Sequence, residues 1–266
     1  MDIKKRYREL SKTIQYHDDK YYNPEISDYD YDLLMQELKS IEKDHPELVS
    51  DDSPTQTVGG EAKREAGVTV AHNVPMLSIQ DVFTKEDVIA WARDVRKMHP
   101  DAEFSVEHKI DGLSVSLRYE NGELKLAETR GDGFVGEDVT LNSYYINGVK
   151  KKLDVPYKYL EVRSEVYMSH EDFGRVNEKQ ELMGKRLFAN PRNCAAGTLR
   201  QLDPRVTGER GLKLFVFNIQ DGPDELMQKH TAGLKVLASE GIPVVPHKLC
   251  AADDEILAEI DAIGES

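Results

Sequence analysis

Residues 104–129, FSVEHKIDGLSVSLRYENGELKLAET, decide the fold class. Leu113, Val115, Leu117 and Tyr119 alternate there with Ser114, Ser116 and Arg118, the period of a strand with one apolar and one polar face. Asn121-Gly122 supplies the two central positions of a type I′ turn, which need positive φ, so Leu124, Leu126 and the residues after them are expected back as the antiparallel partner. Upstream, Phe104 to Ile110 reads as a further strand. Working outward, 160–167 (LEVRSEVY) and 212–219 (LKLFVFNI) read as strands, and 84–98, 169–182 and 224–240 as helices. Strands and helices come in clusters, not as regular βαβ units, which points to an α+β domain built on antiparallel sheets.

The beginning of the chain has a different character. Ile3, Tyr7, Leu10 and Ile14 recur at helical spacing; a break falls at Asn23-Pro24, Ser27 is a candidate N-cap, and Tyr31, Leu34, Leu38 and Ile41 repeat the stripe as far as His45-Pro46. Residues 47–70 are rich in turn formers and read as a linker. A hairpin of this size buries little alone, so it is expected to dock on a partner or on the rest of the chain.

Composition narrows the class. The 266 residues allow one large domain plus a small one, and 39% hydrophobic content supports a core. No apolar run approaches the ~18 residues of a membrane span, and MDIKKRYRELSK is no signal peptide, so a cytoplasmic protein with no membrane partner is expected. Cys194 and Cys250 are isolated, which argues against a disulfide framework or a zinc site. A net charge of −14 argues against a generic DNA coat while leaving room for a local basic patch. Composition alone favours a soluble enzyme with a small polar substrate.

Four stretches carry candidate chemistry. Lys109-Ile110-Asp111-Gly112 presents an amine near a strand end. As a nucleophile that amine must be neutral, which costs roughly 4–5 kcal/mol at pH 7 unless the site depresses its pKa. Taken alone the string is weak, and a surface lysine is the competing reading. Residues 129–138 match the glycine spacing of a dinucleotide fingerprint at Gly131, Gly133 and Gly136, but Glu137-Asp138 would sit where a pyrophosphate belongs. A glycine-rich loop presenting Arg130 fits better. In 160–167, alternation puts Glu161, Arg163, Glu165 and Tyr167 on one face, either lining a polar cleft or forming a solvated surface. Arg186, Arg192 and Arg200 surround the turn-forming Asn190-Pro191, as phosphate forks or as an ordinary basic helix. The histidines, His72 and His108 among them, have no paired metal spacing and read as structural or exposed.

The order and wording of these stretches resemble the bacterial NAD-dependent DNA ligases. Lys109-Ile-Asp-Gly, Thr129-Arg-Gly-Asp-Gly, Glu161-Val-Arg-Ser-Glu-Val and Phe188-Ala-Asn-Pro-Arg-Asn-Cys-Ala-Ala-Gly-Thr-Leu-Arg-Gln-Leu-Asp-Pro carry the likeness. Upstream, Ser27-Asp-Tyr-Asp-Tyr-Asp, His45-Pro-Glu, Ser53-Pro-Thr-Gln and Pro75-Met-Leu-Ser-Ile extend it over nearly the whole chain. The resemblance implies an antiparallel-sheet nucleotidyltransferase domain of the DNA ligase and capping enzyme type over 67–266, preceded by a helical module over 1–66 that binds nicotinamide mononucleotide (NMN). It implies Lys109 as the adenylated nucleophile with Asp111 beside it, and Glu107 as an adenine contact. Ser78 and Ile79 would line the adenosine pocket. Arg130 and Glu165 fall at nucleotide-contacting positions, Arg192 and Arg200 at phosphate-facing ones. Tyr21, Tyr22, Asp28, Tyr29, Asp30, Tyr31 and Asp32 would hold the NMN half of NAD.

The implied reaction moves AMP from NAD to the lysine, then to a 5′-phosphate at a DNA nick, with Mg2+ offsetting phosphate charge. NAD, AMP, NMN and, in a full-length context, nicked double-stranded DNA are the implied partners, and a monomer is expected. The adenylation domain reads as cut before its last strands, so this chain alone is not expected to seal nicks. Ser164 stands where that family has glycine, either crowding the pocket or facing the core. A non-catalytic NAD- or AMP-binding module, and an ATP-using RNA ligase or capping-type transferase, are the rival readings.

Overall fold

The computed structural model describes residues 3–19, 26, 28–50, 53–55 and 68–265. The expected break at Asn23-Pro24, the Ser27 cap, most of the linker, and Tyr21 and Tyr22 lie outside the described residues.

The amphipathic stripes form the expected helical hairpin, α1 (Ile3–Asp19) and α2 (Asp28–Asp44). Tyr7, Leu10 and Ile14 bury against Leu38 and Ile41, with Tyr31 and Leu34 packed at the margin. The Arg6 guanidinium donates two bonds to the Glu37 carboxylate, Nε to Oε1 at 2.7 Å and Nη2 to Oε2 at 2.5 Å. Buried Glu42 accepts from Ser53 Oγ and Thr55 Oγ1, which pins the chain after a 3-10 turn at Pro46–Leu48 onto α2.

The remaining elements are β1 (Thr69–Ala71), α3 (Lys85–Met98), β2 (Phe104–Glu107), β3 (Leu113–Glu120), β4 (Glu123–Thr129), β5 (Val135–Glu137), α4 (Thr140–Ser143), β6 (Tyr159–Tyr167), α5 (His170–Leu182), α6 (Pro191–Leu199), α7 (Arg205–Glu209), β7 (Lys213–Asp221), α8 (Asp224–Met227), α9 (His230–Ser239), β8 (His247–Cys250) and α10 (Asp253–Gly264). A four-stranded antiparallel sheet, in the order β4-β3-β6-β7, is the centre, and the α+β expectation holds. Asn121 and Gly122 take φ of 51° and 77°, as the type I′ turn requires. One sheet face sends Val115, Leu117, Val162, Val166, Leu214 and Val216 into a cluster with Val176 of α5, Cys194 and Leu199 of α6, and Leu234 and Leu237 of α9. Ser164 belongs to this face; its hydroxyl donates to the Val115 carbonyl at 2.8 Å, so it faces the core and does not crowd the polar side.

Three expectations need correction. The strand from Phe104 stops at Glu107, because β2 pairs with β8 in a separate two-stranded sheet and the chain then crosses to β3. Phe104, Ala92 of α3, Cys250 of β8 and Ile256 of α10 form that unit's own core. The single helix expected over 224–240 is two, α8 and α9. Gly233 lies so close to the Leu226 carbonyl that a Cβ there would sit 2.3 Å from the oxygen, a fold-back that one continuous helix cannot make. Asn190-Pro191 opens a helix and not merely a turn: Pro191 sits in the first turn of α6, and Asn190 Oδ1 accepts from Asn193 N at 2.8 Å. Among the described residues, no helix is long and apolar enough to cross a membrane.

Candidate functional site

The polar face of the central sheet carries Ser114, Ser116 and Arg118 of β3, Glu128 of β4, and Glu161, Arg163 and Glu165 of β6, in register as Ser114↔Glu165, Ser116↔Arg163 and Arg118↔Glu161. At one end of this face the crossover 108–112 passes over β6. Gly112 makes that approach possible, since a Cβ there would lie 2.2 Å from the Val166 carbonyl oxygen and 3.2 Å from Glu165 Cγ. Lys109 is therefore on an irregular, exposed crossing between two sheets and not inside a strand. Asp111 lies 3.8 Å from Arg192 Nη1, which ties the crossover to α6.

Glu165 is the electrostatic centre. Burial pushes its carboxyl up to about 7, against the opposing pull of Arg192, Lys109, Arg130 and Arg163. Four cations from the crossover, the 130–136 turn, β6 and α6 thus converge on one carboxyl. Arg163 is itself half-buried. Its Nε donates to Ser114 Oγ at 3.2 Å, its Nη1 donates to the Leu77 carbonyl at 3.0 Å, and its guanidinium lies 5.5 Å above the Phe217 ring. Burial, then Arg130, lower its pKa while Glu165 opposes them. The bond to Leu77 brings the segment bearing Ser78 and Ile79, both exposed, to the edge of the same face.

Arg130 begins a tight turn. Gly131 and Gly133 have φ of 54° and 93°, and Asp132 Oδ1 accepts from Phe134 N at 2.8 Å and Val135 N at 2.7 Å. Only the four-residue α4 follows β5, so the dinucleotide-fingerprint reading has no helix on which to place a pyrophosphate.

The structure brings Lys109, Asp111, Arg130, Glu165 and Arg192 together. Glu107 stands at the end of β2, where Ser105 Oγ donates to Oε1 at 2.7 Å and His230 Nε2 lies 2.7 Å from the same oxygen. Burial works to raise its pKa, but His230, Ser105 and then His247 outweigh it and hold the carboxyl low. Arg200 reaches the end of β5, its Nε donating to Glu137 Oε2 at 3.0 Å. On α2, Asp30 is exposed and Tyr31 packs at the margin of the hairpin core, while the side chains of Asp28, Tyr29 and Asp32 lie outside the described set.

Arg163, Phe217 and His230 join this neighbourhood without having been singled out. Strand alternation had placed Arg163 beside Glu165, so its signal was present. Phe217 lies at a register shift of β7 against β6, which hides its face in the apolar run 214–219.

Residues 66–266 match the family model of the NAD-dependent DNA ligase adenylation domain, and residues 1–59 that of the DNA ligase-like, N-terminal NAD+-binding domain. The chain belongs to the NAD-dependent DNA ligase adenylation-domain family. It is 47% identical over 270 residues to the DNA ligase of Clostridium kluyveri and 48% identical over 270 residues to that of Acetivibrio thermocellus, covering 100% of this chain and 41% of each relative. The DNA ligase of Clostridioides difficile is 44% identical over 266 residues, 98% of this chain and 39% of that protein. The chain spans about two-fifths of the length of these curated relatives.

Proposed function

We propose that the chain carries out the adenylation step of an NAD-dependent DNA ligase, with Lys109 as the group that becomes adenylated. The Lys109 nitrogen attacks the adenylyl phosphorus of NAD. An N–P bond forms, the P–O bond to the nicotinamide half breaks, NMN leaves with the bridging oxygen, and the amine gives up a proton. Supporting this most directly is the convergence of Lys109, Arg130, Arg163 and Arg192 on half-buried Glu165, an anion-binding frame around a potential nucleophile. Arg130 and Arg192 face the transferred phosphate, Asp111 orients Arg192, Glu165 accepts from the ribose, and Glu107 with the Ser78–Ile79 segment borders the base. Arg200 acts one step back, holding Glu137 at the end of β5. Tyr21, Tyr22, Asp28, Tyr29, Asp30, Tyr31 and Asp32 are assigned to the NMN half.

Among the described residues no three His, Cys, Asp or Glu side chains gather as a metal set, so Mg2+ is assigned to the nucleotide phosphates, whose charge it offsets. In the longer relatives' context the AMP passes to a DNA 5′-phosphate at a nick. The cytoplasm is the proposed compartment, and a monomer the proposed state.

Intact-mass analysis after incubation with Mg2+ and either NAD or ATP tests the proposal. One AMP added from NAD, none from ATP and none on a Lys109→Ala variant is the expected pattern. A chain that binds AMP but gains no mass is a non-catalytic nucleotide module, and labelling from ATP favours the RNA ligase or capping-type class.

A further inference from the structure

The far end of the polar sheet face is a buried ion cluster. Glu128 and Glu161 are fully buried and Arg118 nearly so. Arg118 Nη2 donates to Glu128 Oε1 at 2.5 Å and to the Ala71 carbonyl at 3.1 Å, and its Nε lies 3.4 Å from Glu161 Oε2. Ser116 Oγ and Tyr159 OH donate to the two oxygens of Glu161 at 3.0 and 2.6 Å. Arg118 Nε and Glu128 Oε2 make no hydrogen bond of their own, so charge attraction at short range, strong where water is excluded, completes the cluster.

His72 connects this cluster to the candidate site. Its side chain is 0% exposed; Nδ1 lies 2.9 Å from Glu128 Oε1, and Nε2 lies 2.9 Å from the Arg130 carbonyl oxygen. The carbonyl beside Nε2 needs a hydrogen there, while Nδ1 meets the Glu128 carboxylate as a close charge contact without an aligned hydrogen bond, an arrangement that favours the imidazolium. Burial alone would lower its pKa, but the Glu128 contact and the Arg130 carbonyl outweigh burial and the repulsion of Arg118 and raise it. The main chain repeats the link: His72 N donates to the Phe134 carbonyl at 2.9 Å and Met76 N to the Gly133 carbonyl at 2.8 Å. Gly136 leaves room for the ring, since a Cβ there would sit 3.0 Å from His72 Cε1. Arg130 is thereby gripped on both sides, its N donating to the Ser114 carbonyl at 3.0 Å and its carbonyl accepting from His72.

We propose that His72 is a positioning residue for adenylyl transfer: it locks the turn carrying Arg130 to the segment carrying Ser78 and Ile79, so that both walls of the nucleotide cleft hold one arrangement. The inference rests on the assignment of that cleft to AMP transfer. With the lock intact, the guanidinium of Arg130 is aimed before the nucleotide arrives. Without it the turn keeps its fold but samples other directions, and misplacement of a phosphate-facing group lowers the rate of the chemical step more than the affinity for NAD.

The test is single-turnover labelling by NAD and Mg2+ for the wild type, His72→Gln and His72→Ala, between about pH 6 and 9. The expected loss is roughly tenfold in rate, with the half-saturating NAD concentration within about twofold of wild type. Because Lys109 is common to all three chains, its titration cancels in the ratio of wild-type to His72→Gln rates. That ratio is expected to fall towards one as pH rises and the wild-type ring loses its second hydrogen. Variants that label as fast as wild type, or are slower by one factor at every pH, overturn the proposal. Ring 15N chemical shifts of the wild type provide a check that no variant's folding affects: a neutral His72 at pH 7 overturns it equally. If the wild type itself takes up no AMP, the nucleotide-transfer assignment fails and this inference falls with it, whereas labelling that ignores His72 sinks the inference alone.

Discussion

Surrounded by four cations, a carboxyl group in water would stay ionised well into the acid range; at Glu165 burial wins and moves it from 4.5 up to about 7. Between those two values the folded chain keeps a proton that the unfolded chain has released. Stability contributed by Glu165 therefore falls as pH rises through that window and levels off above it. The difference in urea midpoint between wild type and Glu165→Gln, measured across the window, should show this slope, with a total on the order of 3 kcal/mol before solvent screening. Parallel curves for the two chains would show that Glu165 is not buried among cations as described. At this scale much was legible. Lys109, Arg130, Glu165 and Arg192 were read from the sequence, three of them beside glycine, proline or strict alternation that restricts where a side chain can point. His72 was read as structural or exposed, since a lone histidine carries no pattern; its partners come from β4 and the 130–136 turn.

Elements explain why those side chains converge. Asn190 and Pro191 start α6 at a fixed point, and its buried face of small residues, Cys194, Ala195 and Ala196, lets the helix lie close in the core while Arg192 in its first turn reaches Asp111. Asn190→Ala removes the acceptor for Asn193 N, at an expected cost of about 1 kcal/mol, and frees the turn that aims Arg192. Thermal melts and AMP titrations of the same variant should both weaken; a melt that drops while AMP affinity stays unchanged would detach Arg192 from the nucleotide. The long periodic elements were readable in advance, because eight or more residues of alternation or helical spacing outweigh local noise. Short β1, β5 and β8 were not, since three or four residues pair only because a distant partner is present. The crossover at 108–112 escaped for the same reason: nothing local says that the strand before it and the strand after it belong to different sheets.

Across the whole molecule, net charge and site charge point in opposite directions. The chain carries −14 overall, yet its candidate cleft gathers Lys109, Arg130, Arg163 and Arg192. Acidic composition thus limits non-specific contact with nucleic acid while the local field still favours a phosphate. The two sheet units meet at the site itself. The chain crosses between them at 108–112, His108 N donates to the Pro246 carbonyl at 3.2 Å, and His230 of the α9 side reaches Glu107 of the β2–β8 side.

The most direct measurement is the position of the covalent AMP. After incubation with NAD and Mg2+, proteolysis and tandem mass spectrometry should locate a single acid-labile AMP on the peptide containing His108-Lys109-Ile110, with fragment ions assigning it to the Lys109 side chain. AMP found on any other lysine, or an unmodified peptide from a chain that has consumed NAD, would contradict the account.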